Sequence, residues 1–223
     1  MISYPSDDHF QNFNYSRRFV ARMTVVRNVI FDLGGVVLDW NPDQIVARFQ
    51  PQAELRSSFK QDIFGHPDWQ LFDRGTLTEL ELIDRIETRT GLAKSQASSV
   101  VDSVRESLVE KSETVQLMRR LHARGLALFC LSNMPSSVYA HLREQHGFWD
   151  LFTGIVISGE VKMLKPEAAV FDYLLQKFAI SAAQSVFIDD LKANIEGARA
   201  VGLTGILFRD AGQCEQELNR LLT

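Results

Sequence analysis

The sequence predicts an α/β protein with a doubly wound parallel sheet and a helical segment inserted after its first strand. Three observations predict it. Short apolar runs rich in β-branched and aromatic residues recur near residues 25–31, 126–131, 185–188 and 205–208, each suited to a buried strand. After residue 111 these runs alternate with helical periodicity, the rhythm of a Rossmann-like core. From Gln44 to about Glu110 the pattern is helical throughout, with no strand of useful length.

The first run, Val25 to Asp39, carries a carboxylate, Asp32, followed at once by Leu33-Gly34-Gly35. Asp32 would stand at the carboxyl end of its strand, where open α/β sheets place ligand sites. The two glycines let main chain approach a ligand closely. A polar break follows at Asp39-Trp40-Asn41-Pro42-Asp43. In the helical stretch, Ile45, Val46 and Phe49 share one face, and Leu77, Leu80, Ile83 and Ile86 another, with Thr76 or Thr78 as cap. Gly91 ends that helix; Val100, Val101, Val104 and Leu108 mark the next. Several consecutive helices exceed a simple crossover, so residues 42–110 read as an inserted domain between core segments 23–41 and 111–223.

The alternation then resumes. Val115, Leu117, Met118 and Leu121 form a helix stripe, 126–131 a strand ending in Ser132-Asn133, and a helix follows from Pro135. Ile155-Val156-Ile157 is a short strand. Lys165-Pro166-Glu167 opens a helix, with proline at the first helical position. Ser185 to Ile188 runs into Asp189-Asp190; a helix through Asn194, a strand at 205–208 and a last amphipathic helix complete the chain.

The 223 residues suffice for a sizeable core, and 45% hydrophobic with 23% charged residues is an ordinary globular balance. A net charge of −4 argues against nucleic acid or an anionic membrane as partner. Cys130 and Cys214 match no metal or redox spacing, and Cys130 reads as a core thiol, which fits a reducing cytoplasm. No segment approaches the roughly 18 apolar residues of a membrane helix. Residues 1–22 read as a flexible extension, with Met23 an alternative start; Arg17-Arg18 is not read as an export signal, because the apolar run behind it carries Asp32. Monomer and homodimer both stay open.

Strands of a parallel sheet present their carboxyl ends on one side, so Asp32, Ser132-Asn133, Lys165 and Asp189-Asp190 can converge there. Three carboxylates together raise one another's pKa unless a hard cation relieves them, and oxygen ligands suit Mg²⁺. Ser132 offers a hydroxyl and Lys165 a charge to a phosphoryl group. Taken singly, each has a plainer reading: Ser132-Asn133 or Asp189-Asp190 as helix caps, Lys165 as a solvated helix start.

In this order the residues resemble the four motifs of the haloacid dehalogenase-like hydrolase superfamily, from Arg27 onward. Phe31-Asp32-Leu33-Gly34-Gly35-Val36, Phe187-Ile188-Asp189-Asp190 and Asn194-Ile195-Glu196-Gly197-Ala198 are similar to a subgroup that includes bacterial α-D-glucose-1-phosphate phosphatase, as is Phe72-Asp73-Arg74-Gly75-Thr76-Leu77-Thr78. The resemblance implies that the insertion is a helical cap. It further implies that Asp32 attacks phosphorus to form an aspartyl-phosphate, with Ser132 and Lys165 holding phosphoryl oxygens. Mg²⁺ would be held by Asp32, the Gly34 carbonyl and Asp190, with Asp189 alongside and Asn194 behind them.

One departure stands out. Most phosphatases of the superfamily carry a second aspartate two residues after the nucleophile as general acid and base; here that residue is Gly34. General acid–base catalysis is worth about 10²–10⁴-fold, so the expected substrate is a small phosphorylated metabolite with a good leaving group, a sugar phosphate above all. Alternatively Asp39 or His66 moves the proton. Specificity is expected from Trp40, Asn41, Trp69 and Arg74, with core packing the plainer reading of Trp69. Two other functions are weighed: a metal-independent 2-haloacid dehalogenase, in which paired acids at 189 and 190 would be unwanted, and a silent binding module, in which nucleophile, lysine and acids need not all persist.

Overall fold

The computed structural model describes residues 25–222. The expectations for residues 1–22 and Met23 lie outside them.

Asn28–Phe31 forms strand β1, wholly buried. It is shorter than the apolar run that contains it. At Gly34-Gly35 the chain folds back, and the N–H groups of Val36, Val37 and Leu38 all donate to the Leu33 carbonyl, at 3.1, 2.8 and 2.8 Å. Val36–Leu38 is therefore a buried loop rather than a continuation of the strand.

Five helices follow: α1 (Pro42–Phe49), α2 (Arg56–Ile63), α3 (Pro67–Asp73), α4 (Glu79–Thr90) and α5 (Lys94–Ser107). Their ends follow ordinary capping chemistry. The Asn41 side chain accepts from Gln44 N–H, and Pro42 takes the first helical position. Thr78, rather than Thr76, caps α4, in a reciprocal box with Glu81; Gly91 closes it at φ 72°. Leu80 is 69% exposed, so the buried stripe of α4 is Leu82, Ile83 and Ile86.

The alternating part comprises α6 (Ser112–Ala123), β2 (Ala127–Ser132), α7 (Ser136–Gln145), β3 (Gly154–Ile157), α8 (Ser158–Val161), α9 (Ala168–Lys177), β4 (Ser185–Asp189), α10 (Lys192–Ala200), β5 (Thr204–Leu207) and α11 (Ala211–Leu221). The sheet is parallel, in the order β3-β2-β1-β4-β5, with Phe31 in register with Cys130 on one side and Ile188 on the other. Side chains alternate between its faces. Val29, Phe31, Cys130 and Ile188 pack with α6, α7 and α11, whereas Ile30, Phe129 and Phe187 pack with α9 and α10. Helices thus cover both faces, which is why these strands read as unbroken apolar runs. Cys130 is buried without a disulfide, as expected. No helix among the described residues is long and apolar enough to cross a membrane.

Pro166 does not open a helix. The helix begins at Ala168, and Lys165 precedes it in a turn whose N–H and carbonyl both bond the Asn133 amide, at 2.9 Å each.

Candidate active site

Parallel strands deliver Asp32, Ser132 and Asp189 to one edge of the sheet. Asp32 follows β1 directly, and its own N–H donates to the Ile188 carbonyl at 2.9 Å, which locks it beside the end of β4. Its Oδ1 accepts the Leu33 N–H at 2.7 Å and lies 2.7 Å from Lys165 Nζ. Oδ2 accepts no hydrogen bond among the described residues and is the oxygen left for chemistry.

Lys165 is 4% exposed, the opposite of a solvated helix start. Its ammonium also donates to Asp189 Oδ2 at 2.7 Å and sits 5.4 Å from the Phe187 ring centroid. Burial alone would lower its pKa; the charges of Asp32 and Asp189 overcome that and raise it. One ammonium shared by two buried carboxylates leaves excess negative charge. Burial first, and then the charges of Asp189 and Asp190, push Asp32 up to about 7 despite the lysine. Asp190 is raised by its burial and by Asp189.

Oxygens of Asp32, Asp189 and Asp190 lie within 4.8 Å of one another. Asp189 is fully buried behind the other two, accepting from Lys165, from the Asn194 amide at 3.0 Å to each oxygen and from Leu191 N–H at 2.8 Å. Asp190 reaches a cavity of ≈ 560 Å³ that Asp32, Gly34, Ser132, Asn133 and Lys165 also line. All-oxygen donors, clustered and charge-unbalanced, fit a hard divalent cation.

The helical segment forms the other side of this cavity. Trp40, Phe64 and Trp69 line it as an edge-to-face series with centroids 5.5 and 4.7 Å apart, and Lys60, Gln61, Gln70 and Asp73 add polar groups. Trp69 is both core and wall, being only 7% exposed.

Not every expected residue is there. Arg74 does not line the cavity: its guanidinium is bound to Glu167, with a further bond of 3.2 Å to the Lys162 carbonyl, because it leaves the end of α3 toward the loop before α9. Asn133 lines the cavity, but its amide is taken up by the Lys165 backbone. Asn41 caps α1. Asp39 is 3.9 Å from Lys111 in a separate recess, and His66 caps α3 by accepting from Asp68 N–H.

Sequence reasoning passed over Asp73, at the end of α3. Asp73 lines the cavity, and burial, reinforced by the Asp32 charge, holds its carboxyl well above the usual carboxylate range. The signal was present in Phe72-Asp73-Arg74-Gly75, where an acid precedes a glycine turn. It carried no chemistry until the turn was seen against the sheet edge. Ser158 was also missed: its buried hydroxyl accepts from Met134 N–H at 2.8 Å and donates to the Asp73 carbonyl at 2.6 Å.

The sequence and the fold have counterparts among known proteins. A haloacid dehalogenase-like hydrolase family model matches residues 26–202. A sesquiterpene phosphatase of Aspergillus oryzae is 31% identical over 199 residues, covering 89% of this chain and 98% of its own length. A phosphoglycolate phosphatase of Vibrio cholerae is 25% identical, covering 81% of this chain and 83% of its own. Among solved structures, a HAD-family enzyme of Bacteroides thetaiotaomicron aligns with a TM-score of 0.70 at 21% identity, over 88% of this chain and 99% of its own. An L-2-haloacid dehalogenase of Xanthobacter autotrophicus shares the fold at a TM-score of 0.63 and 14% identity, over 88% and 83%. With its matched region spanning four of the five strands and all the inserted helices, the chain belongs to the haloacid dehalogenase-like hydrolases.

Proposed function

We propose that this hydrolase is a Mg²⁺-dependent phosphatase acting on a small phosphorylated metabolite through an aspartyl-phosphate on Asp32. One observation carries the reading: a carboxylate with one oxygen pinned by Leu33 N–H and Lys165, and the other free, beside a second acid at the mouth of the same cavity. The free oxygen attacks phosphorus as the bond to the leaving oxygen breaks; water then cleaves the aspartyl-phosphate. Ser132 and Lys165 hold the phosphoryl oxygens as charge builds. Asp32, Asp190 and the Gly34 carbonyl would hold the cation, with Asp189 orienting them from behind. Bound there, Mg²⁺ neutralises charge on the transferring group. Residues 42–110 act as a cap over the polar strand ends.

The two relatives, a sesquiterpene phosphatase and a phosphoglycolate phosphatase, support this reading, as does a solved HAD-family enzyme in complex with magnesium and inorganic phosphate. A dehalogenase has no use for acids at 189 and 190.

The sugar phosphate expected from Gly34 remains one reading of the organic group. The cavity wall favours a second. Trp40, Phe64, Trp69, Val104, Leu108 and Val138 suit an apolar alcohol better than a polyol, in keeping with the terpenoid substrate that the Aspergillus relative's name gives. Phosphate release from a panel of sugar, acyl and alkyl phosphates, with and without Mg²⁺, tests both readings. Metal-dependent release abolished by Asp32→Asn is expected. Metal-independent turnover of chloroacids instead would return the protein to the dehalogenases, and no turnover at all to a silent module.

A further inference from the structure

We propose that Asp73 is the proton-transfer residue of this enzyme, a carboxyl supplied by the helical segment in place of the one absent at position 34. The proposal rests on the phosphatase reading above.

Position 34 is empty of chemistry but not of space. A Cβ built there meets nothing nearer than Trp40 Cβ at 3.8 Å, an ordinary contact. The volume beside Asp32 therefore opens into the cavity, and Asp73 borders that cavity from the opposite side. Its position is fixed by its backbone, because the buried Ser158 hydroxyl ties the Asp73 carbonyl to the loop after β2. The neighbouring turn is fixed as well: Lys162 Nζ bonds the carbonyls of Gly75 and Gly159. The Asp73 carboxyl itself makes no hydrogen bond or ion pair among the described residues, so the fold holds this acid in place without using it. It lies outside the three-carboxylate cluster. The other acid–base candidates are engaged elsewhere, Asp39 near Lys111 and His66 as a helix cap.

Burial and the Asp32 charge both favour the neutral acid at Asp73. Asp73 then gives its proton to the leaving oxygen as the phosphorus–oxygen bond breaks and the Asp32–phosphorus bond forms. As a carboxylate it takes a proton from the water that attacks the aspartyl-phosphate, which releases phosphate and restores both aspartates. The substrate therefore needs no good leaving group, and a simple alcohol phosphate is turned over.

The experiment compares n-hexyl phosphate, a poor leaving group, with p-nitrophenyl phosphate, a good one, by steady-state and rapid-quench kinetics in Mg²⁺. Asp73→Asn is expected to lower kcat on n-hexyl phosphate by about 10²–10⁴-fold. On p-nitrophenyl phosphate it should keep a fast first turnover and show a burst as phosphoenzyme accumulates. Gly34→Asp in the Asp73→Asn background should recover at least tenfold of the lost rate, because the side chain at 34 has room. Asp73→Ser carries the same comparison if the asparagine variant does not fold. Wild-type kcat on n-hexyl phosphate in the variant overturns the proposal. So does a loss equal on both substrates, without a burst and unrecovered by Gly34→Asp, which would mark a structural residue. Absence of Asp32-dependent turnover in the wild type overturns the phosphatase reading along with it.

Discussion

Gly35 passes so close to Asp190 that a Cβ on it would lie 2.2 Å from Oδ2, and the residue holds φ +78° besides. Glycine alone satisfies both conditions. Gly35→Ala must therefore displace the carboxylate that reaches the cavity or shift the loop at Leu33–Leu38. The expected outcome is at least a tenfold weaker Mg²⁺ affinity by calorimetry, with a parallel loss of phosphatase activity. Gly34→Ala is the control: its Cβ has room, and Mg²⁺ affinity should stay within a few-fold of wild type.

Lys165 carries a different burden. Its ammonium is the shared partner of Asp32 and Asp189, 2.7 Å from each, and Asp189 is wholly buried. Removing one member of such a cluster leaves uncompensated buried charge, at a cost of about 3–5 kcal/mol. Lys165→Met should lose about that much in urea unfolding at pH 8 without metal. The loss should shrink at pH 5, where Asp32, with its pKa near 7, takes up a proton.

That elevated pKa has a sign that can be measured. Between the unfolded value of 3.8 and about 7, folded Asp32 binds more proton than unfolded Asp32. Its contribution to stability is therefore greatest below pH 4 and is lost as pH rises through 7. In chelator, Asp32→Asn should become progressively more stable than wild type as pH rises from 4 to 8. Saturating Mg²⁺ at pH 8 should reverse the order. A ligand at 100 times its Kd stabilises by about 2.7 kcal/mol, and the asparagine variant gives up most of that binding. Parallel melting curves across the range would count against a buried, charge-crowded Asp32.

How much of this was legible in the residues follows from what each feature depends on. Asp32, Ser132, Lys165 and the 189–190 pair were readable because each terminates, or closely follows, an apolar run, and a parallel sheet brings such ends together whatever the loops do. The length of β1 was not, since Val36–Leu38 is as apolar as a strand and only the hydrogen bonds to Leu33 turn it into a loop. Arg74 was misplaced because sequence gives a side chain's chemistry but not its direction, and Glu167 sits 93 positions away. Asp73 escaped for the same reason. Its meaning lies in the approach of α3 to the strand ends, a relationship between segments with no local signature.

The contact that creates that approach is the last to test. The Ser158 hydroxyl is fully buried between the Met134 N–H and the Asp73 carbonyl, so both lose a partner in Ser158→Ala. Stranding buried backbone groups costs about 1–3 kcal/mol, and the variant should melt accordingly lower. Stability alone does not distinguish this from any other core defect. Thr78→Ala, which removes the cap of α4, should cost a comparable ~1 kcal/mol through a residue that does not line the cavity. Only Ser158→Ala frees Asp73 from the sheet edge. It should therefore slow n-hexyl phosphate turnover more than p-nitrophenyl phosphate turnover, whereas Thr78→Ala leaves their ratio unchanged. Equal ratios in the two variants would mean that the hydroxyl braces the fold without aiming the acid.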